Sequence, residues 1–123
     1  RSKLENMGRN ELGKTGMLYI EQKSIDRLGK MSLDFYIPSL RLGIECQGKQ
    51  HFGYGGWSGN FDFKALFSRD RTKYHLCREN GVELIYLSDR GFDYDKSLGD
   101  IYNDDNLFTD VGVMIENIRF REK

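Results

Sequence analysis

Ser32-Leu33-Asp34-Phe35-Tyr36-Ile37 and Leu42-Gly43-Ile44-Glu45-Cys46-Gln47, joined by Pro38-Ser39-Leu40-Arg41, are the stretch whose reading decides the fold. Both segments alternate apolar and polar residues, the pattern of half-buried strands. Side chains alternate faces along a strand, so Leu33, Phe35 and Ile37 are expected on one face, with Asp34 and Tyr36 on the other. By the same rule Leu42, Ile44 and Cys46 share a face, leaving Glu45 and Gln47 opposite. A tight turn centred on Ser39-Leu40 sets Asp34 directly across from Glu45. Two carboxylates in cross-strand opposition are destabilising and drive each other's pKa apart unless a cation lies between them. A divalent ion such as Mg²⁺, which takes one or two carboxylates plus water and phosphate oxygens, would remove the conflict. The plainer alternative is that one of the pair is solvated on an exposed sheet face.

Working outward, Ser2 to Lys14 carries Leu4, Met7 and Leu12 at helical spacing. Met17 to Ile25 is rich in strand formers. A glycine-rich loop, Gly53 to Gly59, precedes a long helix expected from Asp62 to Asn80 and stopped by Gly81. Val82 to Leu87 reads as a short buried strand. The acidic run 89–110 carries no functional signal and is expected to pack the last helix, set from Leu107 to Arg121 with Val111, Ile115 and Ile118 as its apolar stripe. The order is α-β-β-β-α-β-α, a mixed α/β domain.

The 123 residues suffice for one domain, and 38% hydrophobic with 13% aromatic residues indicate a packed globule rather than a disordered tail. No apolar run approaches the about 20 residues that cross a bilayer, and the N-terminus has no signal-peptide pattern. It begins with Arg1 rather than Met, so the chain is read as a piece of a longer protein. Cys46 and Cys77 lack the spacing of a structural zinc site and read as small core residues of a reducing compartment. Nineteen basic and nineteen acidic residues cancel. That balance does not announce a nucleic-acid binder, yet a nuclease must gather carboxylates at a metal and spread Lys and Arg around the rim.

Four further positions attract attention. His51 follows Gln47 by four residues, just past Gly48, where it could pass a proton to or from a phosphate reaction; a structural hydrogen-bonding role is the simpler reading of a lone His. Asp70 and Lys73 fall within the inward stripe of the long helix, with Phe63, Leu66, Phe67, Tyr74 and Cys77. A core-facing carboxylate needs a partner. That partner is either a local Lys73 or Arg69, or His51, whose tautomer Asp70 would then fix. Glu5 completes a capping box with Ser2, or is aimed at the metal site from a helix beside the sheet. Lys49, Arg69, Arg71 and Lys73, with Trp57 in the glycine-rich loop, suit phosphate contact and wedging between bases.

Together, Ser32 to Pro38, Ile44-Glu45-Cys46-Gln47-Gly48-Lys49-Gln50-His51-Phe52, Arg69-Asp70 with Lys73, and Gly81 to Leu87 resemble the PD-(D/E)XK nuclease superfamily. Within it they resemble the homing-endonuclease branch with an EDxHD signature, similar in core fold to very-short-patch repair endonucleases. The resemblance spans Ser2 to Leu87 and implies a restriction-endonuclease-like core, a mixed central sheet flanked by helices. It places the signature at Glu5, Asp34, His51 and Asp70. Glu45-Cys46-Gln47 matches the E-x-K segment, with Gln47 in place of lysine.

The resemblance implies a metal-dependent DNA endonuclease domain over residues 1–123. Asp34, Glu45 and the Cys46 carbonyl would hold Mg²⁺ or Mn²⁺, His51 oriented by Asp70 would be the acid or base, and Gln47 would position water. The implied partner is double-stranded DNA, with a homodimer for double-strand cutting and no membrane. The setting would be the cytoplasm of a bacterium or phage-infected cell. Two alternatives stand beside it: a mismatch- or structure-specific repair nicking enzyme, and a catalytically silent DNA-binding module of the same fold.

Overall fold

The computed structural model describes residues 2–26, 31–48, 63–89 and 98–123. They form a mixed α/β arrangement: a five-stranded sheet with helices on both faces. In chain order the elements are α1 (Lys3–Gly13), β1 (Ile20–Ser24), β2 (Ser32–Ile37), β3 (Leu42–Gln47), α2 (Phe63–Glu79), β4 (Glu83–Ser88), β5 (Leu107–Phe108) and α3 (Val111–Arg121). The strands lie side by side in sequence order; β1–β2 and β2–β3 are antiparallel, β3–β4 and β4–β5 parallel.

The central hairpin turns through a single 3₁₀ turn, Pro38–Leu40, and a left-handed Arg41 at φ 49°. Proline pre-sets the first turn position, and the Arg41 N–H closes the turn on the Pro38 carbonyl. The register is Phe35 to Ile44, Tyr36 to Gly43 and Ile37 to Leu42, the one that a turn centred on Ser39-Leu40 sets.

Two hydrophobic clusters flank the sheet. Leu4 and Leu12 of α1 and Met114, Ile115 and Ile118 of α3 meet Phe35, Ile37, Leu42, Ile44, Ile85 and Leu87 on one face. Phe67 and Cys77 of α2, with Leu98, Ile101 and Tyr102, meet Leu33, Leu84 and Tyr86 on the other. Leu33 therefore does not share a face with Phe35 and Ile37, as simple alternation predicts. The pleat is interrupted at Asp34. Across from it, Gln22 has φ 51°, and the β1–β2 pairing skips from Glu21–Phe35 to Lys23–Leu33. Gly43 makes the shift possible: a Cβ there would stand 2.8 Å from Leu33 Cδ1 and 2.6 Å from Leu84 Cδ2.

Two further expectations are corrected. The last helix begins at Val111, because Asp110 caps it by accepting the Val113 N–H (3.1 Å). Leu107 and Phe108 instead extend the sheet beside Tyr86 and Leu87. The described part of the acidic run packs the last helix only in part: Phe108 joins the cluster of Met114, Ile115 and Ile118, and Asp110 caps that helix. Leu98, Ile101 and Tyr102 cover the opposite face of the sheet, beside α2, since their apolar spacing completes the cluster that one helix leaves open. Among the described residues no helix is long and apolar enough to cross a membrane.

Candidate active site

At the far end of the β2–β3 hairpin, side chains take over from the backbone ladder. The Asp34 N–H donates to Glu45 Oε2 (3.0 Å), and the Cys46 N–H donates to Asp34 Oδ2 (2.8 Å). Each carboxylate is thus fixed by the backbone of the strand opposite. The two acidic residues sit across from one another as the hairpin register requires, and neither is a freely solvated surface group: Glu45 is 3% exposed and Asp34 half-buried.

Lys73 resolves part of the conflict. Its ammonium donates to Glu45 Oε1 from the inward face of α2. The sequence had suggested a local partner for the stripe's charges, but the lysine reaches the sheet instead. Even so, the Glu45 carboxyl is raised to about 8. Burial is the main cause and the Asp34 charge the next, with Lys73 opposing both.

Glu5 approaches from α1, on the opposite face. Ser2 caps the helix by accepting the Glu5 N–H (3.1 Å), which is the Ser2 half of the capping box. The Glu5 carboxyl is nevertheless raised, first by burial and then by Asp34. The Cys46 thiol is pushed up by burial and then by the charges of Asp34, Glu5 and Glu45, which sets three carboxylates around one strand end. Both cysteines are free thiols. Among the described residues no three His, Cys, Asp or Glu side chains close into a metal-ligating group, consistent with Glu45 being turned toward α2 while Glu5 comes from α1.

The donor set fits a hard divalent cation. It offers carboxylate oxygens, and among the described residues Asp34 Oδ1 receives only a long bond from Gln22 Nε2 (3.5 Å). Lys73 already supplies positive charge to Glu45, and a metal ion would do so more strongly.

Gln47 is 4% exposed and donates through Nε2 to the Tyr102 hydroxyl (3.0 Å). The Tyr102 ring meets Tyr86 edge-on, centroids 4.8 Å apart, and Tyr86 lies beside Glu45 in the parallel β3–β4 register. Burial raises both phenols, keeping them protonated, and the buried Tyr86 hydroxyl has no hydrogen-bond partner among the described residues. Asp70 is 6% exposed on the sheet-facing side of α2. Arg69 is exposed, while Arg71 forms an ion pair with Asp100 (3.0 Å). His51, Lys49 and Trp57 lie outside the described residues.

A cavity of about 530 Å³ opens beside this cluster, lined by Glu5, Cys46, Gly48, Ser88 and Asp89 among others. It lies at the carboxyl ends of the parallel strands β3 and β4 and the start of α1, the usual place for ligands in α/β sheets. Sequence reasoning missed Ser88, Asp89, Tyr86 and Tyr102. The first three owe their place to the β3–β4 register, and no local motif signals it.

The chain is 35% identical over 57 residues to an uncharacterized protein, 033L, of Invertebrate iridescent virus 3. The match covers 45% of this chain and 29% of that protein, so the chain spans under a third of its relative. No family model matches the chain, and no solved structure matches it.

Proposed function

We propose that this chain is the catalytic domain of a metal-dependent DNA endonuclease with a restriction-endonuclease-like core, of the homing-endonuclease kind. The observation that carries this reading is the Asp34–Glu45 arrangement: two carboxylates on adjacent strands, each held by a backbone N–H of the strand opposite, with a lysine ammonium on one of them. A protein that only bound DNA would gain nothing from holding like charges against phosphates.

Asp34 and Glu45, with the Cys46 carbonyl, would hold Mg²⁺ or Mn²⁺. When bound, such an ion would supply Lewis acidity, lowering the pKa of a water and drawing charge from a phosphate. The chain's own residues do the rest. Gln47, held by Tyr102, keeps its amide oxygen as an acceptor for the attacking water. His51, oriented by Asp70, moves a proton between that water and the leaving oxygen. Lys73, on Glu45, supplies the positive charge that Gln47 cannot, to offset negative charge gained by the phosphate on attack. Lys49, Arg69 and Arg71 steady the duplex around it, and Glu5 closes the site from α1.

The test is conversion of supercoiled plasmid to nicked or linear DNA in Mg²⁺, Mn²⁺ or EDTA. The expected result is metal-dependent cleavage that disappears in Asp34→Asn and His51→Ala while both variants keep the wild-type circular dichroism. Cleavage in EDTA, or full activity in Asp34→Asn, would overturn the reading.

A further inference from the structure

A second groove, of about 350 Å³, runs between α2 and the face of β1 and β2 that α2 leaves open. Its walls include Lys23, Tyr36 and Arg41 together with Leu33, Leu76 and Val82. We propose that this groove is a track for the sugar–phosphate backbone of duplex DNA, with Lys23 and Arg41 as its cations. The inference rests on the nuclease reading for the class of its partner and adds the path that partner takes.

Charge balance singles this groove out. Among the described residues its lining has two cations and no carboxylate. In the cavity beside Tyr74, Arg78 is opposed by Glu83 and Asp105, and in the cavity at the strand ends, Lys3 is opposed by Glu5 and Asp89. Glu21, the carboxylate of β1, is paired with Arg9 (2.8 Å), and Asp26, just past the strand, accepts the Met31 N–H (3.1 Å).

The two cations are also differently prepared. Arg41 is pinned by donating to the carbonyls of Gly81 (3.1 Å) and Asn80. Those partners are neutral, so among the described residues no carboxylate pairs with it, and its remaining nitrogen can turn to a phosphate oxygen. Lys23 is exposed on β1, a mobile point charge suited to a backbone phosphate. The apolar walls and the Tyr36 ring match the carbon edge of a deoxyribose.

Continuity with the site is built into the two elements that form the groove. Leu33 precedes Asp34 on β2, and Leu76 lies about one turn beyond Lys73 on α2. A strand placed at Asp34 and Lys73 therefore has an open, positively lined exit along this face.

The experiment is fluorescence anisotropy of a labelled duplex in EDTA across a salt series. Each phosphate contact contributes about 0.9 to the slope of log affinity against log salt. Lys23→Ala is expected to lower that slope by about 0.9 on every sequence tried, while Lys23→Arg keeps it. Lys14→Ala, which removes a surface partner of Glu11 (2.9 Å), is expected to change nothing. In cleavage assays Lys23→Ala should raise KM and leave kcat in place. An unchanged slope in Lys23→Ala, no duplex binding by the unaltered chain, or tighter binding of single-stranded RNA would each overturn the track. Cleavage with an unchanged slope would sink the track alone; Lys23-dependent duplex binding without metal-dependent cleavage would sink the nuclease reading and leave the track standing.

Discussion

Glu45 combines burial, a like charge across the hairpin and a lysine on one oxygen. Its carboxyl is raised from 4.5 to about 8 in the folded, metal-free chain. Between those values the folded state keeps a proton that the unfolded chain releases, so stability falls as pH rises through that window. Thermal unfolding in EDTA should therefore show a lower Tm at pH 8 than at pH 5, and Glu45→Gln should flatten the difference. An equal pH dependence in both proteins would contradict the assignment. Lys73→Met removes the cation that donates to Glu45 and is expected to cost about 3 kcal/mol at pH 8. Glu45→Gln in the same chain should return part of that loss, as read by denaturant melts.

At the scale of elements, the β2–β3 hairpin depends on a missing side chain. Gly43 lets Leu33 and Leu84 meet over the strand, and that contact moves Leu33 onto the α2 face. Gly43→Ala is expected to destabilise by about 1–3 kcal/mol through overpacking, measured as a shift in urea midpoint. Wild-type stability would mean that the two leucines can give way. Gly81 ends α2 at φ +72°, as its position after the helical stripe suggests, and Arg41 reaches across from the hairpin to the carbonyls of Asn80 and Gly81 just past that helix. One arginine thus couples the turn of the hairpin to the end of α2.

At the scale of the whole molecule, helices α1 and α3 cover one face of the sheet, and α2 with residues 98–102 covers the other. Tyr102 ties the second layer to the site by accepting the Gln47 amide. Tyr102→Phe should leave that buried N–H unsatisfied, at a cost of about 1–3 kcal/mol. It should also lower kcat more than it raises KM, because the Gln47 amide is then free to rotate. Loss of stability with an unchanged kcat would show that the contact is structural only.

Much of this was legible in the chain itself. The limits of β2 and β3, their turn and register, the stop of α2 at Gly81 and the cap at Ser2 all follow from contacts between near neighbours, where periodicity, proline and glycine act directly. That same register set Asp34 against Glu45. Tertiary structure decided the rest. Lys73 looked like a stripe residue with a local partner, but packing of α2 on the sheet carried it to Glu45. Leu107 and Phe108 looked like the start of a helix, but the edge of β4 offered their backbone hydrogen-bonding partners. Tyr102 lay in a run without any signal, and became a neighbour of Gln47 because the chain folds back over the α2 side of the sheet. The sequence determines what depends on the spacing of neighbours; contacts between residues far apart in the chain depend on how layers stack, and no local pattern encodes that.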